Sequence, residues 1–203
     1  MKRTVAVFDL GGVLLDWNPR HLYRKLFAGD DAAMEHFLTA ICSQSWNEEQ
    51  DRGRSIAEAT ALLAAQHPEH AELIEAYYGR WSEMLAGPIA GTVEIFATLD
   101  RAGVPLYALS NWSAETFVHA RSRYAFLDRF RDILISGEVG LIKPDPRIFQ
   151  LLLQRHAIAA ADAVYIDDVM KNVAAANALG FHSIHFRDAT ALRDELATLG
   201  LPS

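Results

Sequence analysis

Four short polar clusters punctuate the apolar runs of this chain: Asp9 ahead of Gly11-Gly12, the pair Ser110-Asn111, Lys143 ahead of Pro144, and the acidic pair Asp167-Asp168. Between them they offer carboxylates, a hydroxyl, an amide and a lysine. Carboxylates brought close together repel unless a cation lies between them, and hard oxygen ligands of this kind suit Mg²⁺. A lysine beside hydroxyl and amide donors suits a phosphate. Metal, phosphate and one spare carboxylate together describe phosphoryl transfer onto Asp9 through a covalent acyl phosphate. Taken alone, Asp9 reads equally well as a residue that caps its own glycine turn. The recurrence of polar groups at similar places further along favours the chemical reading.

Those places are set by the elements around them. Thr4–Phe8 is a β-branched and apolar run that reads as a fully buried strand ending on Asp9. Val104–Leu109, Ile133–Ile135, Ala163–Ile166 and His182–Phe186 read as further strands. Helices are predicted over Thr92–Ala102, Ser113–Tyr124, Asp145–His156, Asn172–Leu179 and Ala189–Leu199, with Asp145 as N-cap and Pro146 at the first helical position. Strands alternating with helices imply a Rossmann-like, doubly wound parallel sheet with right-handed crossovers. In such a sheet the carboxyl ends of the strands share one edge, where ligands bind. Clusters far apart in sequence can therefore converge.

The alternation fails between Trp17 and Pro88. Apolar residues there recur at helical spacing, as in Met34, Phe37, Leu38 and Ile41, and Ser55 to Glu58 has the form of a capping box. The expectation is a core domain of residues 1–16 and 89–203 with a helical bundle, 17–88, inserted after the first strand. The alternative is that these helices simply pack on the sheet as part of one core. The polar stretch from Trp46 to Gly53 reads as a connection between helices.

Composition bounds the rest. The chain has 203 residues, 51% hydrophobic and 22% charged, the mix of an ordinary globular protein. A net charge of -7 argues against non-specific binding of nucleic acid. A single cysteine, Cys42, excludes an intrachain disulfide and thiolate zinc clusters, which fits a cytoplasmic location. The apolar run near the N-terminus is short and broken by Asp9, so neither a signal peptide nor a membrane span is expected. The expected partner is a small phosphorylated metabolite, bound by a monomer or homodimer.

FDLGGVLLD, LSN, GLIKPDPRIF and YIDDVMKN, in that order, resemble the four motifs of the haloacid dehalogenase-like (HAD) hydrolase superfamily. The helical insert resembles the C1-type cap of its subfamily I. The resemblance covers nearly the whole chain and implies a set of roles. Asp9 would be the nucleophile. Ser110, with Asn111 beside it, would bind phosphate, and Lys143 would hold the phosphate and steady the nucleophile. Asp167 and Asp168 would help hold Mg²⁺, with Asp168 the direct ligand, joined by Asp9 and the backbone carbonyl of Gly11. The glycine turn would also aim N–H groups at the phosphate.

One position departs from the pattern. Most phosphatases of this superfamily carry a second Asp two residues after the first, as general acid and base; here Gly11 stands in its place. Such help is typically worth roughly 10²–10⁴-fold. Three outcomes are compatible with its absence: a substrate with a good leaving group, another proton source (water, or an insert residue such as Glu48, Glu49 or Asp51), or weak activity. Some sugar-1-phosphate phosphatases of the superfamily start with a similar DLG, as do the N-terminal domains of some epoxide hydrolases. The competing readings are a metal-independent 2-haloacid dehalogenase using Asp9, which the adjacent carboxylates disfavour, and a non-catalytic phospholigand-binding protein. Asn172 is expected to hydrogen-bond around the acidic pair, while Tyr77, Tyr78 and Trp81 are expected to pack the insert.

Overall fold

The computed structural model describes residues 5–203, so Thr4 lies outside the described residues. Five parallel strands form the central sheet: β1 (Val5–Phe8), β4 (Leu106–Ser110), β5 (Asp132–Ile135), β6 (Ala163–Asp167) and β7 (His182–His185), in the order β5-β4-β1-β6-β7. β1 is in the middle, and its four residues are all buried. The period-2 alternation of a strand decides where each side chain goes. Ala6 and Phe8 pack with Ile95, Phe96 and Leu99 of helix α6 (Ala90–Arg101) and with Leu192 and Leu196 of α11 (Ala189–Thr198). Val5 and Val7 face the other way, onto Ile148, Phe149 and Leu152 of α9 (Pro146–His156) and Ala176 of α10 (Met170–Ala178). Both faces are covered, as continuous apolar strands require.

The helical segment comprises α1 (Arg20–Leu26), α2 (Asp31–His36) running into a π-helical turn over Phe37–Ile41, α3 (Gln44–Asp51), α4 (Ile56–Gln66) and α5 (Ala71–Gly79). Its aromatic residues pack together, Tyr23 on Phe37 at 5.1 Å and Trp46 edge-on to Tyr77 at 5.2 Å between ring centroids. They join the same apolar cluster as Phe8 and Phe96, so one continuous core runs from the sheet into the helices. Trp81 bridges the two by packing on Trp112 at 5.5 Å.

Two features differ from expectation. The stretch from Trp46 to Gly53, read as a connection, is mostly helical, as part of α3 (Gln44–Asp51). The Ser43 hydroxyl caps it by accepting from the Trp46 N–H at 3.2 Å, and the i,i+4 pairs Gln44–Glu48 and Asn47–Asp51 support it. Gln50 is fully buried because its amide reaches the Trp46 carbonyl and the Tyr78 hydroxyl. The helix is polar because one face lines a cavity. The second feature is a two-stranded antiparallel ribbon, β2 (Leu15–Trp17) with β3 (Leu85–Pro88), formed by the segments that enter and leave the helices. Three and four residues are too few for periodicity to reveal a strand. Otherwise β4 to β7, α6 (Ala90–Arg101), α7 (Ala114–Arg123) and α9 to α11 lie within two residues of their predicted limits, with a short helix α8 (Ser136–Val139) added after β5.

Candidate active site

The four clusters do converge, along the carboxyl edge of β4, β1 and β6. Asp9 follows β1, and its N–H continues the ladder to the Ile166 carbonyl at 2.8 Å. Its Oδ1 accepts from the Leu10 N–H at 2.7 Å and from the Ser110 hydroxyl at 2.8 Å, while Oδ2 pairs with Lys143 Nζ at 2.8 Å. Ser110 is the last residue of β4, on one side of β1; Asp167 is the last of β6, on the other.

Lys143 comes from the loop before α9 and is 1% exposed. Its ammonium bridges Asp9 and Asp167, with Asp167 Oδ2 at 2.7 Å. Asn111 clasps the lysine's own backbone, its Oδ1 accepting from Lys143 N–H at 2.8 Å and its Nδ2 donating to the Lys143 carbonyl at 3.0 Å. The Asn111 side chain is thus committed to placing Lys143. Asp167 is committed too. Besides Lys143 it accepts from the Tyr165 hydroxyl, the Val169 N–H at 2.8 Å and Asn172 Nδ2 at 3.1 Å. Its neighbour Asp168 differs: among the described residues its carboxylate has no salt-bridge partner. One carboxylate oxygen from each of Asp9, Asp167 and Asp168 lies within 4.8 Å of the others.

The glycine turn shapes the floor. Gly12 has φ +75°, and a β-carbon there would run into the Asp168 carboxylate, so only glycine fits. At Gly11 a β-carbon would meet nothing within 4 Å, because that position opens onto the cavity. The cavity holds about 660 Å³. Asp9, Ser110, Lys143 and Asp168 form its core wall; Trp17, Leu38, Gln44, Asn47, Glu48 and Asp51 face them from the ribbon and helices.

Burial dominates the electrostatics. It pushes Asp9 up to about 7, against the Lys143 charge, which Asp167 shares. Burial opposes the charge of Lys143 as well, but Asp9 and Asp167 outweigh it and hold the ammonium above its ordinary range. Burial would also raise Asp167, yet Lys143 and the hydrogen bonds to Tyr165 and Val169 N–H bring it below the ordinary range. Asp168 is raised by desolvation and by Asp167. Asp51 is pushed up to about 7, chiefly by burial. Two carboxylates reluctant to ionise side by side, one of them unpaired, are a donor set that a divalent cation would relieve.

Sequence reasoning missed Tyr165. The signal was present, since a residue two before Asp167 on a strand points to the same face. Asn172, expected to bond around the acidic pair, donates to both carboxylate oxygens of Asp167.

The model of a haloacid dehalogenase-like hydrolase matches residues 4–180. The chain belongs to the haloacid dehalogenase-like hydrolases. Among curated relatives of this HAD-like hydrolase, a sesquiterpene phosphatase from Aspergillus oryzae is 29% identical over 195 residues, 96% of this chain and 95% of the relative. A phosphoglycolate phosphatase from Photobacterium profundum is 26% identical over 188 residues, covering 87% of this chain and 80% of the relative. The fold matches that of a HAD family enzyme from Bacteroides thetaiotaomicron, solved in complex with magnesium and inorganic phosphate, with a TM-score of 0.68, 24% identity and coverage of 92% and 95%. No helix among the described residues is long and apolar enough to cross a membrane.

Proposed function

We propose that this HAD-like hydrolase is a Mg²⁺-dependent phosphatase acting on a small phosphorylated metabolite, with residues 17–88 as a cap domain over the site. The observation that carries the reading is the division of labour among three clustered carboxylates. Asp167 is saturated by Lys143, Tyr165, Val169 and Asn172, Asp9 is held by Ser110 and Lys143 with its edge toward the cavity, and Asp168 is left unpaired. A dehalogenase gains nothing from an unpaired carboxylate beside its nucleophile. The phosphatase relatives support the same choice.

In this reading Asp9, Asp168 and the Gly11 carbonyl hold Mg²⁺, and Asp167 orients Lys143 instead of binding the ion directly. When bound, the ion supplies charge neutralisation for the transferring phosphoryl group. The Asp9 carboxylate attacks phosphorus in line with the leaving oxygen. Lys143 and Ser110, already within hydrogen-bond reach of Asp9, meet the phosphoryl oxygens without reorganising, which is where preorganised donors gain most. Asn111 keeps Lys143 in place. Water then hydrolyses the aspartyl phosphate.

Phosphate release from aryl and alkyl phosphates, with Mg²⁺ and with a chelator, tests the proposal. Activity lost to the chelator and restored by Mg²⁺ is the expected result. Halide release from a 2-haloacid that survives the chelator would sink it.

A further inference from the structure

The reaction just proposed has an unassigned proton. Breaking a phosphate ester of an ordinary alcohol leaves an alkoxide that must be protonated, and the water of the second half must lose a proton. Among the described residues the core wall has no group free for this. Asp9 is the nucleophile, Lys143 is locked between Asp9 and Asp167, and Asp168 is a metal ligand in this scheme.

Helix α3, on the opposite wall, carries three carboxylates near its end. Glu49 lies half exposed beside Arg52, 3.7 Å away, and does not line the cavity. Glu48 does line it but pairs with Lys171 of α10 at 3.5 Å. Asp51 lines the main cavity and also a side chamber of about 60 Å³ whose wall includes Gly11 and Asn111. Gly11 borders both spaces, and a β-carbon there would meet nothing within 4 Å. The last turn of α3 is tied to the core there. The Ser136 hydroxyl donates to the Asp51 carbonyl at 2.5 Å and accepts from the Trp112 N–H at 2.9 Å, and Asn47 Nδ2 donates to Asp51 Oδ2 at 3.0 Å. The pin tolerates no bulk: a β-carbon on Gly137 would come within 2.6 Å of the Ala114 nitrogen.

We propose that Asp51, reaching across from the helical segment, is the general acid and base of this enzyme. As Asp9 Oδ attacks and the bond from phosphorus to the ester oxygen breaks, the Asp51 carboxyl gives its proton to that oxygen, releasing an alcohol. The Asp51 carboxylate then takes a proton from water as the water oxygen bonds to phosphorus. The bond from phosphorus to Asp9 breaks, and inorganic phosphate leaves with both aspartates restored. The surroundings agree with an acid that starts protonated near neutrality. Burial pushes Asp51 up, Glu48 on its own helix and Asp9 just after β1 add to the rise, and the Ser113 N–H and Lys143 oppose it. Tyr77 and Tyr78 of α5 face it as neutral phenols, and Arg54 is engaged by Gln50 at 2.7 Å.

The inference rests on the phosphatase reading, and leaving-group dependence separates the two. With Mg²⁺ present, kcat/KM of the wild type is measured for an aryl phosphate with an acidic phenol and for an alkyl phosphate. The same pair is measured for Asp51→Asn and for Glu49→Gln. The ratio of the two substrates within one preparation does not depend on how much of a variant is folded. Asp51→Asn should lower kcat/KM for the alkyl phosphate by about 10²–10⁴-fold and for the aryl phosphate by less than about tenfold. Glu49→Gln should leave the ratio unchanged. With the aryl substrate, Asp51→Asn should also release a burst of phenol ahead of phosphate. An unchanged ratio in Asp51→Asn overturns the assignment of Asp51 while leaving the phosphatase standing. So does a wild-type rate that falls steeply as the leaving alcohol becomes less acidic, a result that needs no variant. A wild type inactive on both substrates overturns the phosphatase reading itself.

Discussion

The two walls of the cavity are built on opposite principles. On the core wall each charged group but one is buried and answered: Lys143 by two aspartates, Asp167 by four donors, Asp9 by a hydroxyl, an N–H and an ammonium. The helical wall is a polar helix with apolar neighbours, whose side chains bond mainly to one another, as Gln44 does to Glu48 and Asn47 to Asp51. The first wall is rigid because an unanswered buried charge is costly; the second, Asp51 apart, can change residues without that penalty. Fixed chemistry on one side and adjustable recognition on the other follow from that difference.

The sharpest way to break the comparison is at Asp9, the proposed nucleophile. Asp9→Asn should reduce phosphate release by at least about 10⁴-fold, measured under saturating Mg²⁺. Turnover within tenfold of wild type would mean that the core wall does not carry the chemistry. Next comes Lys143→Met, which strips two buried carboxylates of their shared cation. Loss of about 3–5 kcal/mol in denaturant unfolding is expected, along with activity. A stable variant would show that the interlock contributes little.

Asp168→Asn should act the other way. It removes an unpaired carboxylate, so stability should hold while Mg²⁺ affinity, followed by calorimetry, drops on the order of 10–100-fold. A comparable loss in Asp167→Asn with the fold intact would contradict the separation of roles between these neighbours.

The pH response sharpens the contrast further. Asp9 and Asp51, both pushed up to about 7, bind protons in the folded protein that the unfolded chain has already released above about pH 4. The native state therefore holds more protons between about pH 4 and 7, and stability of the metal-free protein should fall as pH rises through that window. On the proposed assignment Mg²⁺ would bind only the ionised form of Asp9, so it should raise the melting temperature more at pH 8 than at pH 6. A metal-free melting temperature that climbs from pH 5 to pH 8 would contradict these assignments. The smallest effect is expected at Gln44 on the helical wall, where Gln44→Ala should change KM by a few-fold and kcat little.

How much of this could be read in the sequence varies with range. The strands of the core and the convergence of Asp9, Ser110, Lys143 and Asp167-Asp168 were legible, because buried parallel strands are continuous apolar runs and each ends on a polar residue. The contrast between Asp167 and Asp168 was not. Two identical adjacent residues are told apart only by which one points back at Lys143 and Tyr165. α3 was hidden as well, since its burial is achieved by Gln50 bonding to Tyr78, residues 28 apart, and not by an apolar stripe. Asp51 stood among the candidate proton donors, but only the folded chain sets it apart: Glu48 pairs with Lys171, Glu49 lies off the cavity, and Ser136 ties the Asp51 backbone to the core.

The ribbon of β2 and β3 has a consequence of another kind. Asp16 pairs with Gly87, so the chain departs from the core and returns to it through adjoining strands. Any replacement whose two ends lie a strand's width apart could be spliced there with the order β5-β4-β1-β6-β7 untouched. Under the proposed roles, such a graft would carry a new lid and a new Asp51 counterpart together, exchanging recognition and proton delivery as one module while Asp9 stays where it is.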